Sequence, residues 1–452
     1  MVPMLGAQLP LITALPFVAL LLAIALAPVA APRRWHQNRN KAIVVAALSL
    51  PVLVYFWFGL GGEGRHLLAE KLHEYLGFII VIATLFVVAG GIHIEGSLAG
   101  TPIVNTAVLG VGVVLANVLG TTGASVLLIR PLLRANKRRK RIAHIVIFFI
   151  FCVANCGGLL TPIGDPPLLL GFLKGVPFDW TLRLWPQWLA VNGALLVMFN
   201  LWDQRALDRD EKELPGSQHE QVLVHQPLRI RGAIEMAVLA AVVVTIISSG
   251  RAAAAGTPWA GGAQELLIVL LGVIGYFAGG GNARDRRLKN SFTWGPIVEV
   301  AVLFAGIFAT MTPMLEILNA WSHGSRTVLG MQFGITTPAH FFWTTGALSS
   351  VLDNAPTYLA FAASAAGLEG VAPHGAYIGE LIHSPTAANL LAAISTGAVF
   401  MGAITYIGNA PNFMVKAIAE ESGVRMPSFF GYMAYSVGIL IPLFLAVSLI
   451  FF

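Results

Sequence analysis

The sequence predicts an all-α polytopic membrane protein with about ten transmembrane helices and two re-entrant hairpins, arranged as two inverted repeats. Three observations predict this class: the composition, the recurrence of long apolar runs, and a motif that occurs twice. Of 452 residues, 56% are hydrophobic and only 11% are charged, and the mean hydropathy is +0.76. This balance excludes an ordinary soluble domain and is typical of a chain that crosses a bilayer many times.

Apolar runs that can cross a bilayer core, which needs about 20 residues per helix, recur along the whole chain. Two further apolar segments, 103–129 and 338–363, have polar centres that contain glycine or proline. Each is predicted to be a hairpin that enters and leaves on one side, because irregular backbone at membrane depth needs protein or water around it. The predicted spans are 10–32, 42–60, 76–93, 142–174, 184–202, 232–249, 264–280, 296–318, 386–418 and 429–451.

The basic residues separate into two sets under this arrangement. The loops 33–41, 130–141, 203–231, 281–295 and 416–428 hold 22 of the 28 Lys and Arg residues, and the opposite side holds the other 6. The positive-inside rule therefore predicts that these loops are cytoplasmic and that both termini lie outside, in a bacterial-type inner membrane. Reading either hairpin as a full span would mix the two sets.

The polar stretch 203–231 is the longest predicted cytoplasmic loop and is expected to be a flexible linker between two halves. The basic cluster RANKRRKR at 134–141 is typical of a loop that fixes topology, although such clusters also bind nucleic acid or anionic lipid. We expect no nucleic-acid partner. The expected organisation is an N-terminal helix and basic loop over 1–41, a first repeat over 42–202, a linker and connecting helix over 203–263, and a second repeat over 264–452.

One motif occurs twice, as GLLTPIGDPP at 158–167 and as GAITYIGNAP at 402–411, so that Asp165 corresponds to Asn409. Each copy follows a hairpin, whose tips read ANVLGTTGAS at 116–125 and SSVLDNAPTY at 349–358. The first hairpin is predicted to enter from the cytoplasm and the second from outside, so the halves are inverted. Paired interrupted helices in inverted halves indicate the midplane site of a secondary transporter.

The interrupted segments carry groups that suit a small cation. Carbonyl oxygens freed where a helix unwinds can face a cation, and Asn and Thr side chains add neutral oxygens. One Na⁺ site is predicted from Asn117, Thr121 and Asp165, and a second from Asp353, Asn354, Thr357 and Asn409. The full set of candidate residues is Asn117, Thr121, Thr122, Thr161, Gly164, Asp165, Asp353, Asn354, Thr357, Thr405, Gly408 and Asn409.

Asp165 and Asp353 are the ionisable residues placed at mid-membrane depth, where a charge is expensive and indicates function. A carboxylate there can exchange a proton for Na⁺. The alternative is that each aspartate caps the end of a broken helix. Lys174 and Lys416, which follow the two motif copies, are expected to reach out to the membrane interface.

The segments GTTGAS, TPIGDPP, LDNAPT and IGNAP resemble the ion transporter superfamily over roughly 40–450. That group includes divalent-anion/Na⁺ symporters, arsenite efflux permeases, citrate–metal transporters and NhaD-type Na⁺/H⁺ antiporters, and the citrate transporter branch is the most similar. The resemblance implies a homodimer with a scaffold domain and a transport domain that carries the hairpins and moves as an elevator. It implies no cofactor besides the transported Na⁺ (or Li⁺) and H⁺, with membrane lipids as surroundings.

The function predicted first is therefore Na⁺(Li⁺)/H⁺ antiport, not enzymatic catalysis. A transporter of citrate, another carboxylate or arsenite is the alternative, although an aspartate at the outer hairpin tip disfavours a free anion. An intramembrane aspartyl protease that uses Asp165 and Asp353 is a remote alternative, because the Gly-x-Gly-Asp signature fails at Pro162. A channel suits paired sites in inverted halves less well than alternating access does.

Overall fold

The computed structural model describes residues 5–35, 37–96, 98–213, 229–255, 257–278, 280–290 and 292–452. The all-α prediction is confirmed, and residues 214–228 of the predicted flexible linker lie outside the described residues. The α-helices are Leu5–Gln8, Leu15–Ala30, Pro32–Trp35, Asn38–Val54, Gly61–Gly90, Pro102–Ala135, Ala143–Cys152, Pro166–Leu173, Trp185–Glu213, Ala233–Ala254, Ala263–Phe277, Gly280–Lys289, Gly295–Ser322, Pro338–Ser349, Asn354–Leu368, Tyr377–Glu380, Pro385–Met401, Ala410–Glu421 and Phe429–Phe451.

Short 3₁₀ and π turns extend or join several of these helices, and one small β-ribbon lies between them. The 3₁₀ turns are Leu11–Ala14, Cys156–Leu160, Trp180–Leu184 and Leu381–His383, and the π turn is Tyr55–Gly59. The strands His93–Glu95 and Arg229–Arg231 pair antiparallel, with His93 opposite Arg231. This ribbon connects the end of helix Gly61–Gly90 to the start of helix Ala233–Ala254.

Eight helices in the described residues are long and apolar enough to cross a membrane, which makes the protein a multi-pass membrane protein. One of the eight, Pro102–Ala135, contains a sharp break at Gly120. A ninth is added if Ala263–Phe277 and Gly280–Lys289, which are bent by 88°, count as one span. The most interior span is Ala143–Leu160, of which 89% is buried, against 17–56% for the other seven. A helix that is apolar on all sides packs at the centre of a bundle, and this one places the first motif copy there.

The helix Pro102–Ala135, here called the first hairpin, folds back on itself at Gly120, where φ is 74° and ψ is 158°. A straight helix of this length would hold its ends about 50 Å apart. Instead, a Cβ on Gly100 would lie 2.5 Å from the carbonyl oxygen of Ala135, and the Asn105 amide donates to the Asn136 amide oxygen at 3.0 Å. The polypeptide therefore enters and leaves this hairpin at the same end.

The helices Pro338–Ser349 and Asn354–Leu368, here called the second hairpin, are joined by a tip of four residues. The rings of Phe341, nine residues before the tip, and Phe361, eight residues after it, lie 6.2 Å apart. The two arms therefore run antiparallel. Both hairpins are longer than the sequence predicted, because their second arms continue to Ala135 and Leu368.

Ion pairs within the described residues respect the two sides predicted from the loops. Lys41 pairs with Glu299 at 2.7 Å and Arg139 with Asp203 at 2.5 Å, on the side that holds most Lys and Arg residues, here called the basic side. On the opposite side, Lys71 pairs with Glu74 at 2.9 Å. These ion pairs join residues of the same predicted side, and the assignment of the basic side to the cytoplasm stays a prediction.

The prediction that Lys174 reaches the membrane interface is wrong. Only 2% of Lys174 is exposed, and its ammonium group ion-pairs with Glu74. Glu74 lies on helix Gly61–Gly90, which begins 15 residues before the predicted span 76–93 because its polar first half is helical as well. A buried ammonium needs a partner carboxylate, and this polar half supplies it.

Replacing Lys174 by Met should destabilise the protein by about 1.5–3 kcal/mol, because the buried Glu74 carboxylate would lose one of its two charged partners and keep only Lys71. Lys416 follows the second motif copy and pairs with Glu420 at 2.8 Å, but the two side chains are 20% and 45% exposed. The control Lys416→Met should therefore cost about 0.5 kcal/mol or less. Thermal unfolding in detergent measures both, and equal melting temperatures would contradict the buried pair.

Candidate functional site

The first motif copy interrupts a helix, and a threonine fixes the interruption. The first broken segment consists of Ala143–Cys152, Cys156–Leu160 and Pro166–Leu173, with non-helical backbone around Thr161–Asp165. The Thr161 hydroxyl donates to the carbonyl oxygen of Asn117 at 2.6 Å and accepts from the backbone N–H of Gly164 at 3.1 Å. One side chain thus closes the turn and attaches it to the first hairpin.

The second broken segment, Pro385–Met401 and Ala410–Glu421, is held in the same way. The Thr405 hydroxyl donates to the carbonyl oxygen of Ser350 at 2.5 Å and accepts from the N–H of Gly408 at 3.1 Å. Ser350 therefore takes the place of Asn117 at the hairpin tip. Counting on from these residues, Thr121 corresponds to Asn354.

Glycine is required inside both interruptions because two segments of the backbone come into contact there. A Cβ on Gly164 would lie 2.1 Å from the carbonyl oxygen of Gly158, and a Cβ on Gly408 would lie 2.6 Å from that of Gly402. The next residues, Asp165 and Asn409, are extended, with φ near −150° in both. Neither side chain caps its own helix, which leaves both free for contacts with other segments.

The carboxylate of Asp165 is the centre of the candidate site. The Thr121 hydroxyl donates to its Oδ1 at 2.8 Å, the Asn409 amide donates to the same oxygen at 3.2 Å, and the Asn354 amide donates to Oδ2 at 2.5 Å. Only 1% of Asp165 is exposed. Three separate elements, both hairpin tips and the second broken segment, therefore meet at one carboxylate of the first broken segment.

The described residues give the Asp165 carboxylate no compensating positive charge. No Lys, Arg or His in the described ranges forms an ion pair or hydrogen bond with Asp165, whose three partners are all neutral. The amide oxygen of Asn354 is buried next to it and accepts no hydrogen bond within the described part of the chain. A buried carboxylate without a cation is unfavourable, and it can be neutralised by a proton or by a small cation.

Three predicted site residues form hydrogen bonds with backbone groups rather than with Asp165: Asn117, Asp353 and Thr357. The Asn117 amide donates to the carbonyl oxygens of Val113 and Gly157 at 3.0 and 2.7 Å, and its oxygen accepts from the N–H of Leu160 at 2.8 Å. Asn117 therefore attaches the first hairpin to the first broken segment.

At the second tip, Asp353 accepts from the N–H of Ala355 at 3.0 Å, which is the capping role given above as the alternative. The Thr357 hydroxyl donates to the Asp353 carbonyl at 2.9 Å. Thr122 is half-buried beside Thr121.

The contacts do not follow the division into two predicted Na⁺ sites. Asn354 and Asn409, assigned to the second site, both bond to Asp165 of the first. The reason is that the two halves interlock, so the second hairpin tip and the second broken segment both reach the broken segment of the first half. Cation binding at either group stays a prediction.

Sequence reasoning missed Asn155 and Asn412. The Asn155 amide donates to the Asn412 amide oxygen at 2.6 Å, and its oxygen accepts from the Asn409 amide at 3.3 Å. The Asn412 amide donates to the carbonyl oxygens of Gly402 and Thr405 at 2.8 and 2.9 Å. Both residues are fully buried. A carboxamide inside an apolar run is costly without hydrogen-bond partners. An asparagine in such a run was therefore the feature of the sequence that could have identified both residues.

Comparison with known families agrees with this architecture. A family model described as "Putative citrate transport" matches residues 6–452. The chain belongs to this citrate transport family. The match confirms the predicted membership of the ion transporter superfamily and, with the membrane-spanning helices, supports a secondary transporter rather than an enzyme. A search of curated protein sequences returned no match.

Gly120→Ala should destabilise the protein by about 1–3 kcal/mol, because the backbone angles at the first hairpin tip are open to glycine alone. The added Cβ would also lie 3.1 Å from the carbonyl oxygen of Ile163. Gly110 provides the control in the same hairpin, since its Cβ would meet only Leu196 Cδ1, at 3.7 Å. Gly110→Ala should leave stability unchanged or raise it by up to about 1 kcal/mol.

Thermal unfolding of both glycine variants in detergent tests this tip geometry. A Gly120→Ala protein as stable as the Gly110→Ala protein would contradict the sharp turn at Gly120.

Proposed function

We propose that this protein is a Na⁺(Li⁺)/H⁺ antiporter in which the Asp165 carboxylate binds either a proton or the alkali cation. The observation that carries the proposal is the burial of Asp165 among three neutral donors with no cationic partner. Two cations that compete for one carboxylate cannot both be bound at once. Their exchange across the membrane then couples outward Na⁺ movement to inward H⁺ movement.

The residues around Asp165 have the chemistry that a hard cation needs. Na⁺ prefers oxygen ligands, and the carboxylate, the Thr121 hydroxyl and the unpaired Asn354 amide oxygen supply them. The amides of Asn354 and Asn409 now donate their N–H groups to Asp165. A half-turn of either amide would present its oxygen instead, so one set of side chains can serve both the empty and the cation-bound carboxylate.

The hydrogen bonds also support a common movement of the site. Both hairpins and both broken segments are linked through Asp165, Thr161 and Thr405. We propose that these four elements form the transport domain, which moves as an elevator against a scaffold that dimerises. The proposed setting is a bacterial-type plasma membrane with both termini outside, and the two inverted repeats are 42–202 and 264–452.

A transporter of citrate, another carboxylate or arsenite is the second candidate, favoured by the printed description of the family. A free carboxylate anion would have to approach the uncompensated charge of Asp165, which is unfavourable. A citrate–metal complex would bring its own cation to Asp165, and neutral arsenite would carry no charge. Both substrates are therefore compatible with the geometry.

Purified protein in liposomes with a trapped pH dye tests the first candidate. After a proton gradient is imposed, added Na⁺ or Li⁺ should dissipate it and choline should not. No response to Na⁺, Li⁺ or K⁺ would contradict antiport. The same vesicles would then be tested with citrate, with and without Mg²⁺, and with arsenite.

Asp165→Asn should reduce the Na⁺-driven dissipation to the level of protein-free liposomes, because a carboxamide cannot release a proton to make room for Na⁺. Asp179→Asn is the matched control, since Asp179 lies exposed in the same half of the chain and should keep full activity. Asp353→Asn separates the two aspartates: lost exchange would indicate a transport role for Asp353, and retained exchange would leave it the cap that its hydrogen bond shows. Full exchange by the Asp165→Asn protein would refute the proposal.

Na⁺ should also stabilise the folded protein through the same residue. At a Na⁺ concentration 100 times the dissociation constant, binding adds about 2.7 kcal/mol, which raises the melting temperature relative to choline chloride of equal ionic strength. The rise should shrink as the pH falls, because protons compete for the carboxylate. It should be absent in Asp165→Asn, and a rise of equal size in that variant would place the Na⁺ site elsewhere.

A further inference from the structure

A cavity of about 940 Å³ lies on the basic side, away from Asp165. It is lined by the end of the first hairpin, the loop 136–142, helix Trp185–Glu213, the loop after Glu421 and the start of helix Phe429–Phe451. The transport proposal makes no use of this cavity.

The charges around the cavity are all of one sign. Its charged lining residues are basic and include no Asp or Glu: Lys137, Arg139, Lys140, Arg141, Arg205, Arg209 and Arg425. The first turn of helix Ala143–Cys152 also lines it, and a helix N-terminus carries partial positive charge. A cavity with this lining attracts an anion.

Three of the seven basic residues are neutralised by carboxylates behind the lining. Arg139 pairs with Asp203 at 2.5 Å, and Arg141 pairs with Asp210 at 2.6 Å. Lys140 lies 3.5 Å from Glu213, which also accepts from Arg141. That hydrogen bond from Arg141 lowers the pKa of the Glu213 carboxyl below its ordinary value, so the carboxylate stays charged and engaged.

The other four basic residues, Lys137, Arg205, Arg209 and Arg425, form no ion pair with any carboxylate that the structure describes, and all four are exposed. They come from three separate segments that converge on the cavity. The positive-inside rule accounts for many basic residues on this side. It does not account for their convergence on one cavity, because loops scattered over the surface would satisfy it equally.

One wall of the cavity is aromatic and faces the apolar flank of the bundle. Trp202 and Tyr435 line it, their rings 5.9 Å apart. They are 40% and 37% exposed, and Leu201 beside them is also exposed. Trp and Tyr on a surface between apolar and polar zones mark the level of lipid headgroups. The basic cavity therefore opens where a phospholipid would present its phosphate.

We infer that this cavity binds a phosphate-bearing anion, with Lys137, Arg205, Arg209 and Arg425 as its cationic contacts and a phospholipid headgroup as the source that the aromatic wall favours. Arginine and lysine are the residues that recognise phosphate oxygens. The ligand would connect the base of the first hairpin and the end of the second broken segment to helices Trp185–Glu213 and Phe429–Phe451. The inference does not depend on which substrate is transported.

Native mass spectrometry of the detergent-solubilised protein tests the site with short-chain phosphatidylglycerol, short-chain phosphatidylcholine and inorganic phosphate as probes. Wild-type protein should retain phosphatidylglycerol in preference to phosphatidylcholine. The double variant Arg205→Gln/Arg209→Gln should bind phosphatidylglycerol about 25-fold more weakly, at about fivefold for each charge removed. Arg33→Gln/Arg34→Gln is the matched control, because both arginines are exposed on the short helix Pro32–Trp35 of the basic side, and it should bind as wild type does.

The outcomes separate the two sources of phosphate. Loss of phosphatidylglycerol binding in the first variant alone, without displacement by inorganic phosphate, supports a lipid site. Displacement by inorganic phosphate supports a site for a soluble phosphate anion. Equal binding of both lipids by the wild type, or equal binding by the two variants, would overturn the inference. Size-exclusion elution checks that the variants are folded, and wild-type binding should weaken as salt is raised.

Discussion

The hydrogen bonding of the buried Asp165 carboxylate is the interaction on which the arrangement of the hairpins and broken segments depends. Removing such a charge from water costs several kcal/mol, and hydrogen bonds to a charged group return about 1.5–3 kcal/mol each. Thr121, Asn354 and Asn409 can reach it only because both hairpins turn at this depth and the second broken segment crosses beside it. The helix breaks and the sharp tips follow from the need to surround this group.

The two motif copies build nearly the same backbone but place one charge, not two. Asp165 and Asn409 have matching backbone angles, and Thr161 and Thr405 hold their turns with matching hydrogen bonds. Two carboxylates at this separation would repel each other and would need two cations. With asparagine in the second copy, the amide donates to the single carboxylate. The residues that the two halves contribute therefore surround one carboxylate, that of Asp165.

Apart from Asp353 at the second hairpin tip, the buried ion pairs of the described residues lie towards the two ends of the molecule. On one side, Lys71 and Lys174 are buried against Glu74, where helix Gly61–Gly90 meets the end of the first broken segment. On the basic side, partly neutralised arginines enclose a cavity. Of the two aspartates at the hairpins and broken segments, Asp165 and Asp353, only Asp165 is bonded by both hairpin tips and the second broken segment.

The sequence by itself determined the features that local patterns encode: apolar runs predicted seven of the ten spans that the structure has as helices long and apolar enough to cross a membrane, polar centres with Gly or Pro predicted the hairpins, and the repeated motif identified Asp165. Contacts between distant segments were decided only by the tertiary structure. Lys174 is buried because Glu74, 100 residues earlier, faces it; Asn155 finds Asn412 across 257 residues; and Asn354 meets Asp165 across 189. Chain spacing carries no information about such pairs, because packing of the two halves sets which residues face each other.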